Sequence, residues 1–105
     1  MFGEGEEMLK HIVLWKIHKD GTKEQKLESY RAFKEKTRYL QKVIPEIVKA
    51  EVAYNLNEDG FDICIDSVFG SREDLERYIM HPEHLKVRAF LDEIKYEKTS
   101  FDYEY

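Results

Sequence analysis

The alternation of hydrophobic and polar residues predicts a strand at the start of the patterned part of the chain. Residues 8–18 read MLKHIVLWKIH. Successive side chains of a strand point to opposite sides, so Val13 and Trp15 share one face while Ile12 and Leu14 share the other. Both faces of this strand are therefore apolar, and each of them needs a cover in the folded protein.

A period of three to four residues follows and predicts a helix. Thr22 and Gln25 have the spacing of a capping box, so the helix should begin at that point. It should end before Pro45, because the residue that precedes a proline disfavours the helical conformation. One apolar stripe on this helix must pack against the sheet, and its members are Leu27, Tyr30, Phe33, Thr37, Leu40 and Ile44.

Two more strands, joined by a turn, are predicted after the helix. Residues 48–54 alternate between apolar and polar side chains, and the sequence NEDG at 57–60 is typical of a hairpin turn. The third strand should cover 61–69 and pair antiparallel with the second. On this third strand Phe61, Ile63 and Ile65 share one face, and Cys64 and Val68 share the other.

The second half of the chain predicts a broken helix and a final strand. A capping box at 71–74 opens the helix, which must stop or bend before Pro82. A second helical piece should run from 82 to 94, and residues 98–105 should form a fourth strand. The order β-α-β-β-α-β predicts an α+β fold, a ferredoxin-like sandwich with both helices on one face of the sheet.

The opposite face of that sheet would remain bare, although it is apolar. Ile12 and Leu14 lie on it, together with Cys64 and Val68 of the third strand. An exposed apolar sheet face needs a cover, and a second copy of the same face is self-complementary. The sequence therefore predicts a homodimer.

Composition narrows the classes of protein and partner. The chain has 105 residues, enough for one domain, and its net charge of −5 makes nucleic acid an unexpected partner. The longest apolar run, Ile12 to Trp15, is too short to span a membrane. Cys64 is the single cysteine, and no signal-peptide pattern, a charged segment followed by an apolar one, precedes the domain. We therefore expect a cytoplasmic protein. Residues 1–7, MFGEGEE, should form a disordered tail before a domain at 8–105.

Four segments resemble the family of stress-responsive dimeric α/β-barrel proteins. They are MLKHIVLWKI, IPEI after the first helix, YIMHPEH, and SFDYE near the end. They follow one another at compatible spacings over residues 8–105. The resemblance implies the ferredoxin-like fold and a dimer whose two sheets close into an α/β barrel.

Within that family the sequence is similar to the plant polyketide cyclases, which close aromatic rings by aldol chemistry. Their paired acid-base residues are the tyrosine and last histidine of a Y-x-x-H-P-x-H segment, and this resemblance assigns Tyr78 and His84 to those roles. It also implies a pocket between sheet and helices. A further pocket histidine of the cyclases is replaced here by Ile63, and Trp15 stands where a smaller aliphatic residue is usual. The implied pocket residues are His11, Val13, Trp15, Ile63 and Ile65.

The chemistry of these two residues suits proton transfer. The imidazole of His84 can exchange a proton near neutral pH and could take the acidic proton between two ketones. Tyr78 could then donate a hydrogen bond to the developing enolate oxygen. No Gly-rich phosphate loop, nucleophile elbow or CxxC motif is present in the sequence, and Pro82 interrupts the helix between the two nearby histidines. We therefore expect neither a cofactor nor a metal.

Three functions remain open on the sequence. The first is a cofactor-free cyclase or isomerase that acts on ketone-bearing or aromatic compounds. The second is a non-catalytic, stress-related dimer that binds a small hydrophobic or aromatic ligand or has a structural role; there His84 would pack at a helix start and Tyr78 would be an ordinary helix-face aromatic. The third, a dimeric-barrel monooxygenase, is less well supported because no clear Asn-Trp-His set is present.

Overall fold

The computed structural model describes residues 7–105, so residues 1–6 of the predicted tail lie outside the described part. The predicted order of elements is confirmed, and the broken helix appears as two separate helices. The fold is ferredoxin-like α+β, with one sheet and helices packed on one face of it. The elements are β1 (Leu9–Ile17), α1 (Lys23–Val43), β2 (Ile47–Tyr54), β3 (Ile63–Phe69), α2 (Arg72–Met80), α3 (Pro82–Ile94) and β4 (Lys95–Glu104).

The four strands form a single sheet in the order β2-β3-β1-β4, and each neighbouring pair is antiparallel. The central strand β1 fixes which residues share a face. Val13 pairs with Ile65 of β3 and with Ser100 of β4, and Trp15 pairs with Lys98. Alternate residues of β4 therefore point toward the helices and lie beside the apolar residues of β1.

The hydrophobic core lies between the sheet and the helices. Trp15 of β1 and Phe33 of α1 meet edge to face, with 5.3 Å between their ring centroids. Each helix contributes its apolar side, and the sheet contributes the face that carries Val13. The buried cluster consists of Leu9, Val13, Trp15, Ile17, Phe33, Leu40, Ile44, Val52, Ile63, Ile65, Phe69, Leu75, Tyr78, Val87 and Leu91.

The helix boundaries follow from local hydrogen bonds. The capping box predicted at Thr22 and Gln25 is present, with each side chain accepting a hydrogen bond from the backbone N–H of the other. At the break between α2 and α3, Nδ1 of His81 accepts a hydrogen bond from the backbone N–H of Glu83 at 3.1 Å. Pro82 has no N–H and occupies the first turn of α3. His81 therefore ends one helix and caps the next.

Two strand boundaries differ from the predictions by more than one residue. The third strand begins at Ile63 rather than at 61, and Asp62, just before it, bonds to β1 through both its N–H and its carboxylate. The fourth strand begins at Lys95, immediately after α3, rather than at 98. Its first residues are polar and lie on an edge strand, so they lack the alternation that marks a strand in sequence.

The outer face of the sheet, opposite the helices, is apolar along its centre. Ile12 and Leu14 lie there with Cys64, as the alternation predicted, since Leu14 pairs directly with Cys64. β4 adds Phe101, which pairs with Ile12 and is 65% exposed. Tyr103 extends the patch and is 42% exposed. None of the three helices that the structure describes covers the patch.

Candidate functional site

A cavity of about 210 Å³ lies between the helix-facing side of the sheet and helices α2 and α3. Its inner wall is apolar and well buried, since each of the apolar side chains that follow is at most 7% exposed. Such a wall excludes water from the depth of the cavity and strengthens electrostatic interactions there. The apolar wall consists of Val13, Trp15, Phe33, Ile65, Val87 and Leu91.

The structure places four of the five predicted pocket residues, His11, Val13, Trp15 and Ile65, in the wall of this cavity. Ile63 is buried in the core and does not line it. In the sheet Ile63 lies between Trp15 and Tyr54. The ring of Tyr54 packs against that of Tyr30 in α1, at 5.7 Å between centroids, so α1 covers that part of the sheet.

Tyr78 and His84 meet at one end of the cavity. Tyr78 lies in the last turn of α2 and His84 in the first turn of α3, and their ring centroids are 4.3 Å apart. The break at His81 turns the chain so that both rings reach the same space. Tyr78 is only 4% exposed and also packs against Phe69, with 4.9 Å between the ring centroids.

One hydrogen bond fixes the protonation pattern of His84. Its Nδ1 lies 2.9 Å from the carbonyl oxygen of Ile79. A carbonyl oxygen only accepts, so Nδ1 must carry the proton and donate it. In the neutral ring the lone pair is then on Nε2, which is the atom that can accept a proton.

The surroundings of His84 favour this neutral form. Burial lowers the pKa of His84 below its ordinary value, and the nearby positive charge of Arg88 lowers it further, with smaller effects from His11 and Lys98. The hydrogen bond to Ile79 opposes these effects and raises the pKa. Because the net effect is to lower the pKa, the imidazole of His84 is neutral at physiological pH.

Tyr78 has the complementary property. Burial raises the pKa of Tyr78 to about 12, because the phenolate would lose its hydration. The hydroxyl therefore remains protonated throughout the physiological range and is available as a hydrogen-bond donor. The neutral imidazole of His84 and the protonated hydroxyl of Tyr78 thus lie beside each other in the cavity.

A second histidine of the cavity has a carboxylate partner. Nδ1 of His11 lies 2.6 Å from Oδ1 of Asp102, its cross-strand neighbour in β4. The backbone carbonyl of His11 accepts a hydrogen bond from the hydroxyl of Ser67. A carboxylate on Nδ1 holds the ring in one orientation and leaves Nε2 as its second polar atom. Sequence reasoning missed Asp102, because its role depends on the β1–β4 register.

The mouth of the cavity is polar and charged, and sequence reasoning missed it as well. α3 presents one face to the cavity at steps of three and four residues, from His84 to Asp92. That spacing is the signal in the sequence that could have located the face. The charged or polar side chains at the exposed mouth are Arg88, Asp92, Lys98 and Ser100.

The described part of the chain shows neither a cluster of metal ligands nor a helix suited to a membrane. Within residues 7–105, no three His, Cys, Asp or Glu side chains are grouped so that they could hold a metal ion. None of the helices within those same residues combines the length and the apolar character needed to cross a membrane.

The fold and the cavity together define the class of protein, a ferredoxin-like domain with a small site between sheet and helices. Residues 9–105 match the family described as the stress responsive A/B barrel domain. The chain belongs to that family. No functionally curated protein matches the sequence.

Solved structures share the fold over almost the whole chain. A dimeric protein of unknown function from Bacteroides fragilis is 36% identical, with a TM-score of 0.87 and coverage of 99% of this chain and 100% of that one. A hydroxynitrile lyase from Passiflora edulis is 19% identical, with a TM-score of 0.74 and 93% of each chain covered. A family member from Mesorhizobium loti is 15% identical, with a TM-score of 0.73 and coverage of 93% and 96%.

Proposed function

We propose that this protein is a homodimeric, cofactor-free acid-base enzyme that cyclises or isomerises small ketone-bearing or aromatic compounds. The observation that carries the proposal is the hydrogen bond from Nδ1 of His84 to the carbonyl of Ile79. It leaves Nε2 as the proton acceptor of a neutral imidazole, beside the protonated hydroxyl of Tyr78. A base and a hydrogen-bond donor in one desolvated cavity are the groups that enolisation requires.

The proposed reaction begins with proton transfer from carbon. Nε2 of His84 takes a proton from the carbon next to a ketone, the electrons of the C–H bond form an enolate, and the ring becomes imidazolium. Tyr78 donates a hydrogen bond to the enolate oxygen, where the negative charge develops. In a cyclisation the enolate carbon attacks a second carbonyl of the same molecule. The resulting alkoxide takes the proton back from His84, so the enzyme ends in its starting state.

In an isomerisation the same two residues suffice. The enolate is protonated again by His84 at a different atom, and no electron acceptor or further reactant is consumed. The fold also serves a hydroxynitrile lyase in Passiflora edulis, which is compatible with catalysis in such a cavity.

The volume of the cavity limits the size of the substrate. Pockets for drug-sized ligands usually hold about 300–1,000 Å³, and this cavity has about 210 Å³. Trp15 contributes a bulky indole to the wall. We therefore propose a substrate smaller than the long poly-β-ketones that the plant cyclases fold.

The homodimer is proposed on the outer face of the sheet. Ile12, Leu14 and Phe101 form an apolar patch there, which no other helix or strand of the described residues covers. A patch of this kind is typical of an association surface. The relative from Bacteroides fragilis, 36% identical over nearly the whole chain, is described as dimeric.

Exchange of carbon-bound hydrogen in D₂O tests the proposed function without knowledge of the natural substrate. The probe is 4-phenylbutan-2-one, a small ketone with a phenyl substituent, and NMR follows the loss of its α-proton signals. We expect the wild-type protein to accelerate the exchange, H84A to lose the acceleration, and Y78F to reduce it about a hundredfold. H18Q is the matched control, because His18 lies outside the cavity and bonds to Ser29. Equal rates in H84A and the wild type would reject the role of His84.

The alternative is a dimer that binds a ligand without altering it. The contacts that favour it are the packing of Tyr78 on Phe69 and the bond from His84 to a backbone carbonyl, since both also stabilise the fold. In that case small aromatic ketones would raise the melting temperature, because a ligand stabilises the state that binds it. The same ketones would be recovered chemically unchanged and without deuterium.

A further inference from the structure

The mouth of the cavity carries two cations that the proposed acid-base reaction does not use. Arg88 projects from α3 and Lys98 from β4, and both line the cavity. The guanidinium side chain is 52% exposed, and Lys98 is also exposed. The cations therefore lie where solvent and ligand enter, while the apolar wall lies behind them.

The charges at this mouth are not balanced. Among residues 7–105, no carboxylate lies within 4 Å of the ammonium group of Lys98. The one acidic side chain of the mouth, Asp92, contacts Lys95 at 3.2 Å and reaches Nε of Arg88 only at 3.8 Å. Burial lowers the pKa of Lys98, and the positive charges of Arg88 and Lys95 lower it further, whereas Asp92 raises it. The mouth is therefore electropositive although the whole chain is acidic.

The positions of the two cations relative to the proposed base follow from the helix and the strand that carry them. Arg88 follows His84 by four residues on the same face of α3, a rise of about 6 Å along the helix axis. In the sheet, Lys98 pairs with Trp15, four residues along β1 from His11. The proposed acid-base pair and the two cations thus line the same cavity, and Arg88 lies about one helical turn from His84.

We infer that the cavity binds a small ketone-bearing carboxylate, with its carboxylate between Arg88 and Lys98 and its ketone directed toward Tyr78 and His84. The ketone end of this arrangement rests on the proposed function, whereas the anion site rests on the two cations alone. The planar guanidinium of Arg88 matches a carboxylate in geometry, and Lys98 adds a second donor. Asp92 beside them disfavours an anion with more than one charge.

A pair of ligands that differ only in charge tests the inference. The probes are 4-oxo-4-phenylbutanoate and its neutral primary amide, each titrated calorimetrically into the wild-type protein. We expect the acid to bind about tenfold more tightly than the amide, because hydrogen bonds to charged groups are stronger than neutral ones. Raising the ionic strength should reduce this preference, since both cations are exposed.

Three variants test whether the two cations cause the preference for the acid. R88Q and K98Q should each reduce the preference for the acid to within about twofold of unity. K86Q is the matched control, since it removes one positive charge from the opposite side of the same helix, where Lys86 pairs with Glu83; it should retain the preference. All three positions are exposed, so the variants should fold, and circular dichroism checks this.

The outcomes separate the anion site from the proposed reaction. Equal binding of acid and amide, no binding of either, or an unchanged preference in both R88Q and K98Q would overturn the inference. H84A should still prefer the acid, because His84 does not contact the carboxylate. If that preference is present while the wild-type protein fails to accelerate hydrogen exchange in 4-phenylbutan-2-one, the proposed reaction is wrong and the anion site stands.

Discussion

The two faces of the sheet have the same backbone but different consequences for function. On the inner face, Val13 and Trp15 pack under helices and enclose a cavity with polar groups at both ends. On the outer face, Ile12 and Leu14 lie beside Phe101, and no element within residues 7–105 covers them. One alternating strand therefore supplies both a wall of the cavity and an uncovered apolar surface.

The largest effect is expected in the inner core. Phe33 is 2% exposed and packs edge to face on Trp15, so F33A should destabilise the fold by about 3–5 kcal/mol. Chemical denaturation with urea measures this loss. F101A is the comparison on the outer face. Since Phe101 is 65% exposed in the single chain, its truncation should leave the stability of the monomer nearly unchanged. Similar losses in the monomeric forms of both variants would contradict the contrast.

The second effect concerns the proposed dimer. F101K places a charge in the outer patch and should weaken association by about 2–4 kcal/mol, which is typical of a residue that contributes strongly to an interface. Light scattering should find the wild-type protein at twice the chain mass of 12.6 kDa and F101K at the chain mass. K42Q, a change at an exposed position of α1, should remain dimeric. A monomeric wild type at micromolar concentration would remove the basis for the dimer.

The third effect is the pH dependence of hydrogen exchange. Since burial lowers the pKa of His84 below 6.5, the rate should rise about tenfold per pH unit in acid, and the midpoint of this acid limb should lie below pH 6.5. No basic decline from Tyr78 is expected below its pKa of about 12. Rates measured between pH 4 and 9 check this profile. An acid limb with its midpoint above 6.5 would contradict the environment described for His84.

The same shift predicts a stability change of definite sign. The unfolded chain takes up the imidazole proton at a higher pH than the folded chain does. His84 therefore contributes stability above pH 6.5 that is lost as the pH falls through its folded pKa. H84Q should show a flatter dependence of the free energy of unfolding on pH over that window.

The smallest effect is expected at Asp102. D102N keeps an oxygen that can accept the hydrogen bond from Nδ1 of His11 but removes the charge. We expect a loss of about threefold in the exchange rate, because an ordinary hydrogen bond replaces a charge-assisted one. D102A, which removes the acceptor, should lose more. Equal rates in D102A and the wild type would show that the orientation of His11 is unimportant for exchange.

Much of the fold could be predicted from the sequence because its signals are local. The alternation along β1, the Thr22 capping box and the proline after His81 each act within a few residues, and each appears where expected. The start of β4 could not be predicted, because an edge strand with polar side chains satisfies its ladder without an apolar pattern. Its identity as a strand from Lys95 depends on pairing with β1.

The site was predictable only in part, for the same physical reason. Tyr78 and His84 belong to one short segment, and their proximity follows from the helix break between them. Lys98 reaches the cavity, and Asp102 reaches His11, through the β1–β4 register, which no local pattern encodes. Ile63 shares the predicted face but lies on the side covered by α1, a distinction that requires the packing of the helices.

The protonation state of His84 is the most direct test of the claim that the inner face performs acid-base chemistry. Nitrogen-15 NMR of the imidazole rings resolves the two tautomers and their titration, and the missing signal in H84A identifies the residue. We predict that the imidazole of His84 is neutral and protonated on Nδ1 at pH 7, with a pKa below 6.5. A ring that is protonated on Nε2, or is an imidazolium at pH 7, would contradict it.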